Sequence, residues 1–229
     1  MSHTITVEGG TSVRLPTAGK YCDRDIIITA TGGGGSTQAF GFLDNTLTAI
    51  DCDATEVITY ACRGLSAIKT VNLPNATEIG QYAFYGCEGM ETFNAPKLTT
   101  LSVCTFYGCS SLLSINFPFV SLLPNQCFYQ CERLTKADFG IAKSISTKVF
   151  MGAKALTTLI LRKTDAIVTL GNINALNSTP IASGTGYVYV PKTLADGSDG
   201  VATYQAATNW ATYANQIRAI EDYPEICGG

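Results

Sequence analysis

Residues 82–87 read Tyr82-Ala83-Phe84-Tyr85-Gly86-Cys87, and 22 residues later the chain reads Cys104-Thr105-Phe106-Tyr107-Gly108-Cys109. Further steps of 22 bring Phe128 with Cys131, and then Phe150. A fixed period in the twenties marks stacked coils, each too small to bury an apolar face alone.

The period sorts the chain into columns. Ile68, Val71 and Leu73 fall in step with Met90, Phe93 and Ala95, with Leu112, Ile115 and Phe117, with Leu134, Ala137 and Phe139, and with Leu156, Leu159 and Leu161. A second apolar column runs Val57, Ile79, Leu101, Leu123, Ile145 and, at the same step, Ile167. A third runs Ala76, Leu98, Val120, Ala142. The Phe and Cys columns complete the predicted interior.

Each unit divides into three pieces. A strand such as Thr92-Phe93-Asn94-Ala95 alternates inward and outward side chains. Pro74, Pro96 and Pro118 follow such strands and turn the chain. A short extended stretch comes next, around Ile79 or Leu101, and then a predicted single helical turn carrying the Phe and the Cys. The fold class that follows is a β-rich α/β solenoid of about five 22-residue coils with one parallel sheet.

The run Ala83-Phe84-Tyr85-Gly86-Cys87 leading to Pro96, and Phe106-Tyr107-Gly108-Cys109 leading to Pro118, resembles the BspA-type leucine-rich repeat of bacterial proteins. Later units depart from it: Gln130 stands for the Gly, and Met151-Gly152-Ala153 for Tyr-Gly-Cys. The resemblance covers roughly residues 45–220, including Tyr187-Val188-Tyr189-Val190-Pro191 and the stretch Tyr204 to Trp210. It implies binding rather than chemistry, and a bacterial cell-surface adhesin or interaction protein as one setting.

Composition excludes several classes. The formal charge of −3, with 15 basic and 18 acidic residues, gives no footprint for nucleic acid. No run approaches the roughly 18 apolar residues of a membrane span. One histidine, His3, removes His-based triads and His metal sites. The glycines 32–35 lack the Lys and helix of a phosphate loop, and Asp51 and Asp53 lack a calcium-loop spacing. No catalytic residue, metal ligand or cofactor is expected. Nine cysteines cannot all pair. Cys87, Cys109 and Cys131 carry parallel Cβ vectors unsuited to disulfides, and read as small buried fillers.

Residues 1–31 read as a small β module, with strand candidates Thr4–Val7, Val13–Leu15 and Asp25–Thr29. Three short strands are marginal alone, so the module is expected to attach or oligomerise the chain. The stretch from Leu15 to Ile26, with Lys20-Tyr21-Cys22-Asp23, resembles an N-terminal motif of bacteriophage tail and virion proteins. That likeness implies a virion subunit, assembled in the cytoplasm, that meets other virion proteins and forms a homo-oligomer. The start Met1-Ser2-His3-Thr4-Ile5 has neither the basic nor the apolar region of a secretion signal, which accords with it. Residues 32–38 read as a Gly-rich linker and 39–229 as the solenoid with its C-terminal cap.

The register fails from Asn172. Asp199 or Ser198 is placed to cap a helix over about 201–219 whose Tyr204, Ala207, Trp210 or Ala211, and Ile217 form an apolar stripe. Trp210 reads as cover for the end of the stack in preference to a ligand platform.

The first candidate binding face is the outer side of the parallel sheet: Thr70, Asn72, Thr92, Asn94, Ser114, Asn116, Lys136 and Asp138. Stacked amides there bond one another, are solvated, or bind a protein or glycan of a host cell surface. The second candidate is the column Tyr85, Tyr107, Tyr129.

Overall fold

A computed structural model of the chain describes residues 6–8, 29–31, 49–51, 55–57 and 59–228. Strands β1 (Thr6–Glu8) and β2 (Thr29–Thr31) pair parallel to each other. The strand candidate at Val13–Leu15, the motif from Leu15 to Ile26 and the linker 32–38 lie outside the described residues.

The rest is a solenoid whose first six coils contribute two strands each and whose last two contribute one. The longer set comprises β3 (Ala49–Asp51), β5 (Thr70–Asn72), β7 (Thr92–Asn94), β9 (Ser114–Phe117), β11 (Lys136–Phe139), β13 (Thr158–Leu161), β15 (Tyr187–Val190) and β16 (Ile217–Ala219). The shorter set comprises β4 (Glu56–Val57), β6 (Glu78–Ile79), β8 (Thr100–Leu101), β10 (Leu122–Leu123), β12 (Ser144–Ile145) and β14 (Thr169–Leu170). All pairings are parallel, and Val71↔Phe93 and Ile115↔Ala137 keep the 22-residue step. Between β7 and β9 the stack continues through Leu113 N, which donates to Glu91 O at 3.1 Å.

The predicted columns form the interior. Phe84, Phe106, Phe128 and Phe150 are buried and stack at 5.7, 5.3 and 5.5 Å with nearly parallel rings. Phe93, Phe117 and Phe139 pack against them from the sheet side. The Cys column is buried and unpaired in disulfides. Each thiol donates to a carbonyl of the preceding coil: Cys87 to Cys62 O, Cys109 to Phe84 O and Cys131 to Phe106 O, at 3.0–3.2 Å. A small apolar side chain with one weak donor fits that position better than Ala or Ser would.

The Phe–Cys corner is only in part the helical turn expected: Ala83, Tyr85 and Cys87 donate to Gly80, Tyr82 and Phe84, three residues back, at 3.2–3.3 Å. Tyr82, Phe84 and Gly86 send their N–H groups to Val103, Thr105 and Tyr107 of the next coil at 2.8–3.3 Å. Bonding therefore alternates, residue by residue, between the local turn and the neighbouring coil. The chain turns through left-handed residues four apart, such as Tyr82 (φ 55°) with Gly86 (φ 69°) and Gln126 (φ 57°) with Gln130 (φ 56°). Glycine suits this geometry, and Gln130 accepts a cost of about 1–2 kcal/mol.

Two sequence expectations shift near the C-terminus. Leu170, and not Ile167, takes the place next to Ile145. The connection from β13 to β14 is three residues longer than that from β11 to β12, so the column slips by three. The helix is also shorter than 201–219. Helix α1 (Gly200–Ala206) starts at Asp199, whose side chain accepts from Ala202 N at 3.0 Å. It ends before Asn209 (φ 65°), a 3-10 stretch Trp210–Gln216 follows, and Ile217 joins β16 beside β15. The break lets side chains reach the last coil. Trp210 Nε1 donates to Val168 O (2.6 Å), Asn209 Nδ2 to Leu170 O (2.6 Å), Tyr213 Oη to Ile173 O (2.7 Å), and Tyr204 Oη accepts from Val168 N (2.8 Å). Side chains thus satisfy an edge that would otherwise be left unpaired. Trp210 is fully buried and covers the stack, as expected.

Candidate functional site

The outward positions of the long sheet form two columns. Thr70, Thr92, Ser114, Lys136 and Thr158 stand in register, as do Asn72, Asn94, Asn116, Asp138 and Ile160. At the N-terminal end the face is open: Thr70, Thr92, Asn94, Ser114 and Asn116 are exposed and Asn72 is half-buried. Asn94 Nδ2 donates to Asn72 Oδ1 at 2.7 Å, the amide ladder weighed above. Lys69 and Glu91 flank it at 3.5 Å.

At the C-terminal end the same face is closed. Asp138, expected on an open plate, is only 6% exposed, and Lys136 is half-buried. Arg162 clasps Asp138 with Nε to Oδ1 at 2.8 Å and Nη2 to Oδ2 at 2.7 Å. That carboxylate holds the guanidinium pKa above its ordinary value. Residues 220–228, including α2 (Pro224–Cys227), lie across the strands. Lys136 Nζ donates to Ile226 O at 2.8 Å and Arg162 to Cys227 O. Ile160, Tyr189 and Cys227 form a second small buried cluster beneath, with Tyr223 edge-on to Tyr189 at 5.4 Å. Lys136 therefore bonds the chain's own tail directly, and Asp138 is tied to it through Arg162.

The tyrosine column lies on another side of each coil. Tyr85, Tyr107 and Tyr129 are half-buried and stack at 4.7 Å in both steps. Tyr60 and Tyr82 form a second pair at 5.2 Å. The Arg63 guanidinium sits 5.1 Å from the Tyr85 ring centre and 5.6 Å from that of Tyr60. Arg63, Tyr60 and Tyr82 were not among the residues singled out from sequence. The 22-residue step from Tyr85 back to Arg63 carried the signal, hidden by the change of residue type. Burial first, then the flanking phenols, raise the Tyr107 pKa, and the thiols of Cys109, Cys127 and Cys131 are pushed well up by burial.

A third surface departs from its own repeat. Phe119, Leu122 and Ile141 are exposed where other coils place Lys97, Thr100 and Ser144. A cleft of about 460 Å³ lies between β14 and the cap, and its Asn209 and Trp210 donors are already engaged with Leu170 O and Val168 O. Among the described residues no group of three His, Cys, Asp or Glu converges to hold a metal ion, and no helix is long and apolar enough to cross a membrane.

No curated protein matches the chain. The family model for the BspA type leucine rich repeat region matches residues 46–173 in six copies. That span contains the short-strand ladder and the Phe and Cys columns. Repeats of this type build interaction scaffolds. With coil geometry, register and family model in agreement, the chain belongs to the BspA-type leucine-rich repeat family.

Proposed function

We propose that this chain is a non-enzymatic, adhesin-type binding protein whose working surface is the open end of the long sheet. One observation carries the reading. Thr70, Asn72, Thr92, Asn94, Ser114 and Asn116 stand in register, all but the half-buried Asn72 exposed, while the C-terminal end of the same face is closed by residues 220–228. A preformed sheet loses little conformational entropy on contact, and its hydroxyls and amides offer donors and acceptors to a protein or a glycan.

Residues 1–31 act in this reading as the attachment and oligomerisation module, with 32–38 as its linker. The likeness of Leu15 to Ile26 to phage tail proteins favours a virion appendage that contacts a host surface. The repeat family favours a bacterial cell surface. Several copies on one particle would turn weak contacts into avidity.

The test is binding of the full chain to host-envelope preparations before and after Thr92→Arg with Asn94→Arg. Loss of binding with an unchanged circular dichroism spectrum supports the reading, and undiminished binding overturns it. Immunolabelled electron microscopy separates virion from cell envelope, and light scattering reads the oligomer.

A further inference from the structure

We propose that the tyrosine corner is a binding site for an anionic polysaccharide, held by Arg63 and the hydroxyls of Tyr85, Tyr107 and Tyr129. The site is on a different side of the coil from the open sheet face, so the two readings fail separately.

Ring orientation selects the charge of the ligand. The three rings stack nearly parallel, with interplanar angles of 15° and 19°. Their electron-rich faces are turned on one another, and the rings, each half-buried, carry a positive edge and a hydroxyl. A neutral sugar that packs on an aromatic face finds no free face within the column. The phenols of Tyr85, Tyr107 and Tyr129 have no hydrogen-bond partner among the described residues. Each phenol carries one O–H donor.

Arg63 supplies the anchor. Its guanidinium carbon lies over two tyrosine rings, and it makes no ion pair among the described residues. Stacking leaves the edge of the guanidinium, with its fork of donors, for a planar or tetrahedral oxyanion. On the adjoining column Glu132 is already paired to Lys154 at 2.7 Å, leaving Glu88 as the remaining acid there. The whole chain carries −3, so attraction for an anion must be local to this corner.

Spacing separates a polysaccharide from an acidic peptide. The ring centres recur every 4.7 Å, whereas side chains on one face of an extended peptide recur at about 6.6 Å. A polymer whose units have the length of a single sugar ring keeps closer step with the rungs.

The test uses the full chain at physiological salt, with polygalacturonate, dextran sulfate, neutral dextran and poly-L-glutamate as immobilised probes. The expected result is binding to polygalacturonate, dextran sulfate or both, weakened by added salt, with neutral dextran unbound. Which acidic polymer binds tells carboxylate from sulfate. Arg63→Gln should weaken binding about tenfold. The triple variant Tyr85→Phe, Tyr107→Phe and Tyr129→Phe keeps the stack and should weaken it about threefold or more. The proposal is overturned by no binding to either acidic polysaccharide, by equal binding to dextran or poly-L-glutamate, or by unchanged binding in either variant.

Discussion

The two ends of the long sheet share one backbone register and one interior, yet their outer faces have opposite fates. On β5, β7 and β9 the outward residues are Thr, Asn and Ser, exposed except for the half-buried Asn72. On β11, β13 and β15 the same columns carry Asp138, Ile160 and Tyr189, and the chain's own tail covers them. Nothing in the inner columns distinguishes the two ends. The solenoid fixes where side chains stand, and what lies on top of them is decided by whether the outer column turns apolar or charged. A buried carboxylate requires a partner, and Arg162 provides it from the next coil.

Alkali should break both ends together and most severely. In the unfolded chain the thiols ionise near 9.0, while burial keeps Cys109, Cys127 and Cys131 protonated well above that in the fold. Their contribution is complete below that pH and is lost as pH rises. Tyr204, held up to about 12 from 10.0, extends the loss. Urea midpoints measured at rising pH should fall monotonically from 9 upward. Phe106→Ala comes next, at about 3–5 kcal/mol, because its ring bridges Phe84 and Phe128 beneath the sheet. Hydrogen exchange should rise at both ends equally.

Asp138→Ala separates the ends. It strands a partly exposed Arg162 and should cost about 1–3 kcal/mol. Amides of 220–228 should exchange faster while those of 70–94 stay protected; equal loosening of both would mean the tail is integral to the whole stack. Asn94→Ala removes a solvent-facing rung bond and should shift stability by less than about 0.5 kcal/mol. Binding to host envelopes should fall with it if the open end is the working surface.

The interior was legible because a periodic core repeats its own instructions. Phe84 to Phe150 and the Cys column can be counted along the chain, whereas the register, expected to fail from Asn172, already slips between Leu161 and Thr169. The slip that puts Leu170 beside Ile145 was not legible, since extra residues in a connection leave no periodic trace. Closure of the sheet was hidden for a different reason. Asp138 looks like one more member of the Asn column, and its burial depends on Lys136 meeting Ile226, 90 residues away. The helix at 201–219 was over-read because Ile217 fits a helical stripe as well as a strand. Packing against β15 decides for the strand.

Tyr204, Asn209, Trp210 and Tyr213 address only the last coil, and none of them registers how many lie beneath. Coil number is therefore a free variable of the architecture. Duplicating residues 90–111 would raise the tower by one storey of about 4.8 Å, lengthen every column by a rung, and leave the roof fitting as before.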